Sequence, residues 1–299
     1  MATPAYLEQS VKTGFAQAWR ELQRISGPER GLMNAALMAP SNSKEEDYGW
    51  LGSVPGVTEF LQEARLEQLS DYDFTIRNRD WHAAVQIRKS DYKDDKTGSA
   101  AQIGRLLAER LGKKPADLIE DLLINGDSNT AYDGVAFFSD TSSPRVNDNL
   151  LAGTGTTVSA LMTDLESAET AMAEFVDDKG EYLNLQPNII VCGPSLYNKF
   201  LRIVGSQADP SASGGVDTYN PFFSKYMVYR SPKIGADDAN DFYVLASNGV
   251  LKPFIVQTRE QPKVETEDRP TLPTYAIVAS SRGNVGYGLP HLAVKVVES

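Results

Sequence analysis

The sequence predicts an α+β fold, with helices gathered early in the chain and strands late. Apolar residues recur at three- and four-residue spacing in long stretches near 5–25, 103–123 and 157–176. Short apolar or alternating runs bounded by turn residues fill the part after 186, and no internal repeat interrupts the order.

Each element has its own signal. In 5–25 the residues Tyr6, Val11, Phe15, Ala18, Trp19 and Leu22 share a helical stripe, which Gly27-Pro28 ends. Residues 41–49 are polar and read as a linker, and a short helical stretch is expected at about 57–69. Tyr72, Phe74 and Ile76 then alternate with polar partners, Asn78-Arg79-Asp80 supplies a turn, and Trp81, Ala83, Val85 and Ile87 alternate again. That pattern predicts a β-hairpin. Arg77, Arg79, Arg88 and Lys89 charge its edge, which blocks promiscuous strand pairing. The hairpin is long for its exposed composition, with little nearby to cover both faces, so it is expected to lean on something else.

Ile103, Leu106, Leu107 and Leu111, then Leu118, Ile119, Leu122 and Leu123, form two helical stripes with Pro115 between them. The spacing allows one long kinked helix or two in series, stopped by Asn125-Gly126. Residues 127–156 are rich in Gly, Ser, Thr, Asn and Asp, with an apolar island at Val135–Phe138. Thr157 caps a helix over about 157–176, which ends at the turn Asp177-Asp178-Lys179-Gly180. Ile189–Cys192 reads as a buried strand, and Gly193-Pro194 opens a helix over about 195–203. Residues 205–220 have the composition of a mobile loop, and strands are expected at 226–230, 241–246, 253–257, 274–280 and 291–297.

Composition limits the function classes. The 299 residues suffice for one large domain or two modest ones. Acidic residues outnumber basic ones 40 to 29, for a net charge of −11, which argues against a protein that wraps nucleic acid tightly. No apolar run approaches the ~20 residues of a membrane span, so no membrane partner is expected. The start Met1-Ala2-Thr3-Pro4 lacks a secretory signal, and with the chain beginning at Met1 no leader or propeptide is expected to have been removed. The lone Cys192 leaves no internal disulfide and suits a reducing cytoplasm.

A search for chemistry finds little. Neither His82 nor His291 has a second ligand at metal spacing. Ser195 lies in Gly193-Pro194-Ser195-Leu196, which is no nucleophile elbow, and Cys192 follows three apolar residues as a buried hydrophobe would. Gly153-Thr154-Gly155-Thr156-Thr157 lacks the Lys of a phosphate loop. The pairs Asp94-Asp95, Asp177-Asp178 and Asp237-Asp238 lack calcium-loop spacing and read as solvated turns. No enzyme activity, cofactor or metal is expected.

Against that background the blocks Tyr48-Gly49-Trp50-Leu51-Gly52-x-x-Pro55 and Tyr72-Asp73-Phe74-Thr75-Ile76-Arg77-Asn78-Arg79 stand out. With Arg88-Lys89-Ser90-Asp91, Asp94-Asp95, Gly98 and Tyr132-Asp133-Gly134-x-x-Phe137-Phe138, they resemble the major head subunit family of Mu-like phages. That family belongs to the broader group of capsid proteins with the Hong Kong 97-type fold. Asp73-Phe74 departs mildly from the family's Tyr-Thr-Ile-x-Asn strand. The order of elements over 157–203 resembles the wider fold, and the similarity spans about 1–295.

The resemblance implies an N-terminal arm at 1–47, an extended hairpin loop region at 48–98, and a spine helix with the first part of a peripheral domain at 99–149. It further implies an axial domain at 150–235 and return strands of the peripheral domain at 236–299. The hairpin at 70–97 would reach across to a neighbouring subunit, which would supply its missing cover. Expected subunit-interface residues are Tyr72, Phe74, Arg77, Arg79, Trp81, Arg88, Trp50, Phe15 and Trp19. The implied partner is the chain itself, as hexamers and pentamers of an icosahedral head, assembled in the bacterial host cytoplasm. The implied head would enclose DNA without sequence-specific binding; the acidic balance suits equally a need for solubility and a container wall that must not hold its cargo strongly. A separate scaffold protein and a portal are expected, with room for decoration proteins. Cross-linking is not expected, because Lys89, Lys93 and Lys96 lie near the exit of the hairpin rather than at its tip. The competing readings are a cargo-enclosing nanocompartment shell of the same fold and an unrelated α+β enzyme.

Overall fold

The computed structural model describes residues 4–25, 27–51, 71–93, 99–140, 145–177, 180–211, 219–269 and 273–298. In chain order the helices are α1 (Pro4–Arg24), α2 (Lys89–Lys93), α3 (Ser99–Ile124), α4 (Val158–Glu174), α5 (Pro194–Gly205) and α6 (Ile234–Asp237). The strands are β1 (Ala36–Pro40), β2 (Glu45–Leu51), β3 (Asp71–Arg77), β4 (Arg79–Arg88), β5 (Leu150–Ala152), β6 (Ile189–Cys192), β7 (Met227–Arg230), β8 (Phe242–Leu245), β9 (Phe254–Arg269), β10 (Thr274–Tyr287) and β11 (Ala293–Val297). They form a five-stranded sheet in the order β5-β11-β8-β6-β7, a four-stranded sheet β1-β9-β10-β4, and the pair β2-β3.

The five-stranded sheet is buried on both faces, as its continuous apolar runs require. Strand side chains alternate, so Ile190 and Cys192 enter one core with Leu161, Leu165 and Met172 of α4 and Leu196 and Phe200 of α5. Ile189 and Val191 enter the other, against Ile119 and Leu123 of α3 and the island residues Phe137 and Phe138. Thr157 caps α4 by accepting the N–H of Ala160, and Pro194 opens α5, as the sequence predicts. Cys192 is buried, and its thiol is pushed up to about 12 by desolvation, which suits a packing role.

The four-stranded sheet is covered by α1 and α3. Leu7, Val11, Phe15 and Ala18 of α1 meet Ala100, Leu107, Ala108 and Leu111 of α3 over Val264, Tyr275, Ile277 and Ala279. The two helices approach at Gly14 and Gly104. A Cβ on Gly14 would fall 2.2 Å from the carbonyl oxygen of Ala101, and one on Gly104 would fall 2.4 Å from that of Val11. Pro115 sits inside α3, which is one helix rather than two. Strands β9 and β10 are longer than the runs at 253–257 and 274–280 suggest, and they pass from one core into the other.

Three expectations need correction. The predicted linker at 41–49 contains β2, which pairs antiparallel with β3 from Glu45↔Arg77 to Leu51↔Asp71. The turn at Asn78-Arg79-Asp80 does not reverse the chain, because β3 pairs with β2 whereas β4 pairs antiparallel with β10. The extended hairpin is therefore β2–β3, and β4 obtains its cover from its own chain: Ala83 and Ile87 pack beside α1 and α3. Nor does a boundary at 235 separate the sheets. β8 and β11, from the segment 236–299, complete the sheet of β5, β6 and β7. The helical stretch expected at 57–69 and the core of the loop at 205–220 lie outside the described residues.

Candidate subunit interface

The β2–β3 hairpin is held at its root by polar groups that the sequence scatters across four segments. Asn78, between β3 and β4 and 6% exposed, donates to Ser41 Oγ at 2.8 Å and to Ser43 O at 2.9 Å. Its N–H donates to Lys44 O at 3.0 Å. Glu46 accepts from the backbone N–H groups of Asn42 at 2.6 Å and Ser43 at 2.9 Å, and from Ser41 Oγ at 2.9 Å. These donors, the backbone ones foremost, hold the Glu46 carboxyl down at about 2. Tyr48 donates to Gln257 Oε1 at 3.0 Å, and Thr75 to Asp47 Oδ1 at 2.6 Å.

Below the root, Ile76 is buried and Phe74 half-buried on Gly286 of β10. A Cβ there would lie 2.4 Å from Ile76 Cδ1 and 3.1 Å from Phe74 Cε1. A glycine at this position lets the hairpin sit against the four-stranded sheet.

The expected interface residues separate into groups. The register sets Trp50 opposite Tyr72 at the outer end of the hairpin. Arg77 and Arg79 are exposed, with Arg77 3.5 Å from Glu45. Arg88 is exposed at the far end of β4. Trp81 is half-buried, donates from Nε1 to Gly283 O at 2.9 Å, and carries the Lys114 ammonium 4.2 Å above its ring. Trp81 and Trp19 line the same groove of about 720 Å³, with Leu22, Met33, Met38 and Leu111. Phe15 is 5% exposed inside the chain's own helix–sheet core, stacked on Trp19 at 6.5 Å, so its contacts are internal. Sequence reading did not assign a role to Ser41 or Glu46, whose spacing matches no motif, and took Asn78, the Asn of the family's strand block, as part of a turn. The one local signal was the pair of small polar residues Ser41 and Ser43 ahead of Glu46.

Among the described residues no three His, Cys, Asp or Glu side chains gather to hold a metal, and no helix is long and apolar enough to cross a membrane. His82 is exposed on β4, while burial and then Arg145 push His291 down to about 4. The nearby Arg145 is committed to a buried pair, donating to Asp133 at 2.8 and 3.0 Å and to Phe137 O at 2.8 Å.

Comparison with known proteins fits this arrangement. The chain is 29% identical over 170 residues to the Mu-like prophage FluMu major head subunit of Haemophilus influenzae, covering 57% of this chain and 51% of that protein. It is 32% identical over 103 residues to the major capsid protein of Escherichia phage Mu, covering 34% of each. The chain thus matches about half or less of the length of these curated relatives. Among solved structures it is similar to the procapsid of bacteriophage JBD30, with a TM-score of 0.53 at 20% identity, covering 99% of this chain and 76% of that one. A capsid of the same phage decorated with minor capsid protein trimers gives 0.57 at 19% identity, covering 68% and 90%. These likenesses show the Hong Kong 97-type fold. The model of the family described as Mu-like prophage major head subunit gpT matches residues 6–164 and 223–299, and the chain belongs to that family.

Proposed function

We propose that the chain is the major capsid protein of a tailed bacteriophage, a non-catalytic subunit that self-assembles as hexamers and pentamers of an icosahedral head around double-stranded DNA. The observation that carries this reading is the family match on both sides of 165–222. A hairpin whose strands, among the described residues, pair with each other and which is anchored at its root is the kind of element that gains its remaining contacts from a neighbouring subunit. On this reading Trp50, Tyr72, Arg77 and Arg79 on the hairpin, with Trp81, Trp19 and Arg88 on the body, contribute to contacts between copies. On the same reading the helix α1, the β2–β3 hairpin, the spine helix α3 and the two larger sheets are the units of that assembly.

Scaffold and portal proteins assist assembly, decoration proteins have an outer surface to occupy, and the protein resides in the virion after assembly in the host cytoplasm. The family match favours this reading over a cargo compartment. The test is negative-stain microscopy of the full chain co-expressed with its neighbouring head genes. Closed shells of uniform size are expected, and nuclease-protected DNA in native particles. A small monodisperse species at high concentration overturns the proposal.

A further inference from the structure

Two carboxyl groups from distant parts of the chain meet in one buried site at the end of β11. Glu298 is 6% exposed and Asp164, on α4, is 2% exposed. Asp164 accepts the N–H of Thr154 through both oxygens, at 3.1 and 3.2 Å. The Glu298 N–H donates to Asp241 Oδ1 at 3.1 Å, and the Gly153 N–H donates to Val297 O at 2.8 Å. The Glu298 carboxyl lies against Gly153, where a Cβ would come within 2.4 Å of its carboxyl carbon. Glu298 Oε1 is buried with no hydrogen-bond partner. Two ionised carboxylates can only accept, so a hydrogen bond between the Glu298 and Asp164 side chains requires a proton.

We infer that a proton on the buried Glu298 carboxyl, donated toward Asp164, latches the end of β11 to α4 and the turn at 153–155, and that the latch is closed in acid and released in alkali. The groups facing Glu298 are Asp164 from α4, the Gly155 N–H from the turn and Asp241 ahead of β8. Lys295 is engaged with Asp127 at 2.6 Å and Asp241 at 3.4 Å. Burial first, then the bond to Asp164 and its charge, carries the Glu298 carboxyl from 4.5 up to about 7, with Gly155 opposing. The folded chain therefore holds a proton that the unfolded chain loses near 4.5. The contribution is complete below that value and lost as pH rises through about 7.

The test is amide hydrogen exchange of the full chain between pH 5.5 and 8.5, corrected for intrinsic rates. Peptides spanning 153–157 and 293–298 are expected to lose protection on the alkaline side, with the closed form falling about tenfold per pH unit above the midpoint. Glu298→Gln, whose amide donates to Asp164 without titrating, is expected to keep its protection across the range. Asp164→Asn is expected to move the midpoint downward, because it removes the facing charge. Wild-type protection that ignores pH, or a Glu298→Gln profile matching wild type, overturns the latch. Loss of protection on adding EDTA at pH 5.5 also overturns it, because a cation would then join the carboxylates. Should the variants fail to fold, the carboxyl carbon resonance of Glu298 in wild type decides: no titration near neutrality overturns the proposal.

Discussion

In the five-stranded sheet, β6 and β8 are buried at every position, whereas β4 in the four-stranded sheet has none buried and only Trp81, Ala83 and Ile87 half-covered. The first sheet closes both faces with its own chain, using α4 and α5 on one side and α3 with Phe137 and Phe138 on the other. The second closes one face with α1 and α3. Its other face carries His82, Gln86 and Arg88 on β4 and, on the far side of β10, Lys263, Glu265 and Glu267 on β9. The contrast separates two tasks. Continuous apolar runs secure the fold, and the alternating strands present a charged face and a groove to whatever lies outside.

The strongest way to sharpen that contrast is to attack the sealed sheet. Phe200 and Phe242 are fully buried with ring centroids 4.9 Å apart. Phe242→Ala is expected to cost about 3–5 kcal/mol. Urea unfolding measures it, and a loss under about 1 kcal/mol would show that this core is not the main source of stability.

A smaller effect is expected where α1 crosses α3. Gly104→Val puts a branched side chain where even a Cβ meets Val11 O at 2.4 Å, so α1 must move. Overpacking of this kind costs about 1–3 kcal/mol. Hydrogen exchange should show lost protection in α1 while α4 and β6 stay protected. Equal loss in both regions would mean the two sheets unfold as one unit.

Trp81→Ala removes a hydrogen bond to Gly283 and a ring under Lys114, both half-exposed, so about 1 kcal/mol of subunit stability is expected to go. Assembly yield should fall by more than that loss accounts for. Unfolding of the subunit with no separate assembly defect would remove Trp81 from the interface.

Smallest is Glu46 at the hairpin root. Its carboxyl is lowered from 4.5 to about 2, so its contribution is full above 4.5 and disappears as pH falls through about 2. Glu46→Gln should give, at neutral pH, the faster exchange of the Asn42 and Ser43 amides that wild type shows only in strong acid. Identical amide rates in both proteins would show that the carboxylate does not order the root.

The helices were legible in the sequence because their signals are local. The Thr157 cap, Pro194 in a first turn and the stripes of α1, α3 and α4 need no distant partner to be read. Partner choice was not legible. The alternation of β3 and β4 is visible, yet whether Tyr72–Ile76 pairs with Trp81–Ile87 depends on β2 and β10, far away in sequence. β2 itself was hidden because Glu45, Glu46 and Asp47 have little strand propensity, and pairing with β3 overrides it. The outer halves of β9 and β10 were missed for a similar reason. Lys263 to Asp268 are mostly charged and gave no strand signal, yet Val264, on their inner face, packs under the helices. The resemblance drew attention to the hairpin as a sequence neighbourhood, but Asn78, read as a turn, is the buried peg that joins two sheets.

The continuity of β9 and β10 through both cores has a mechanical side. A pull on the hairpin enters the body at Gln257 and Gly286, both on this pair of strands. Load directed along the strands shears their ladder, so many hydrogen bonds resist together rather than opening one after another. The pair would thus act as a tie between the hairpin root and the end beneath α1 and α3, with the register shift at Ser280–Gly283 dividing its ladder in two.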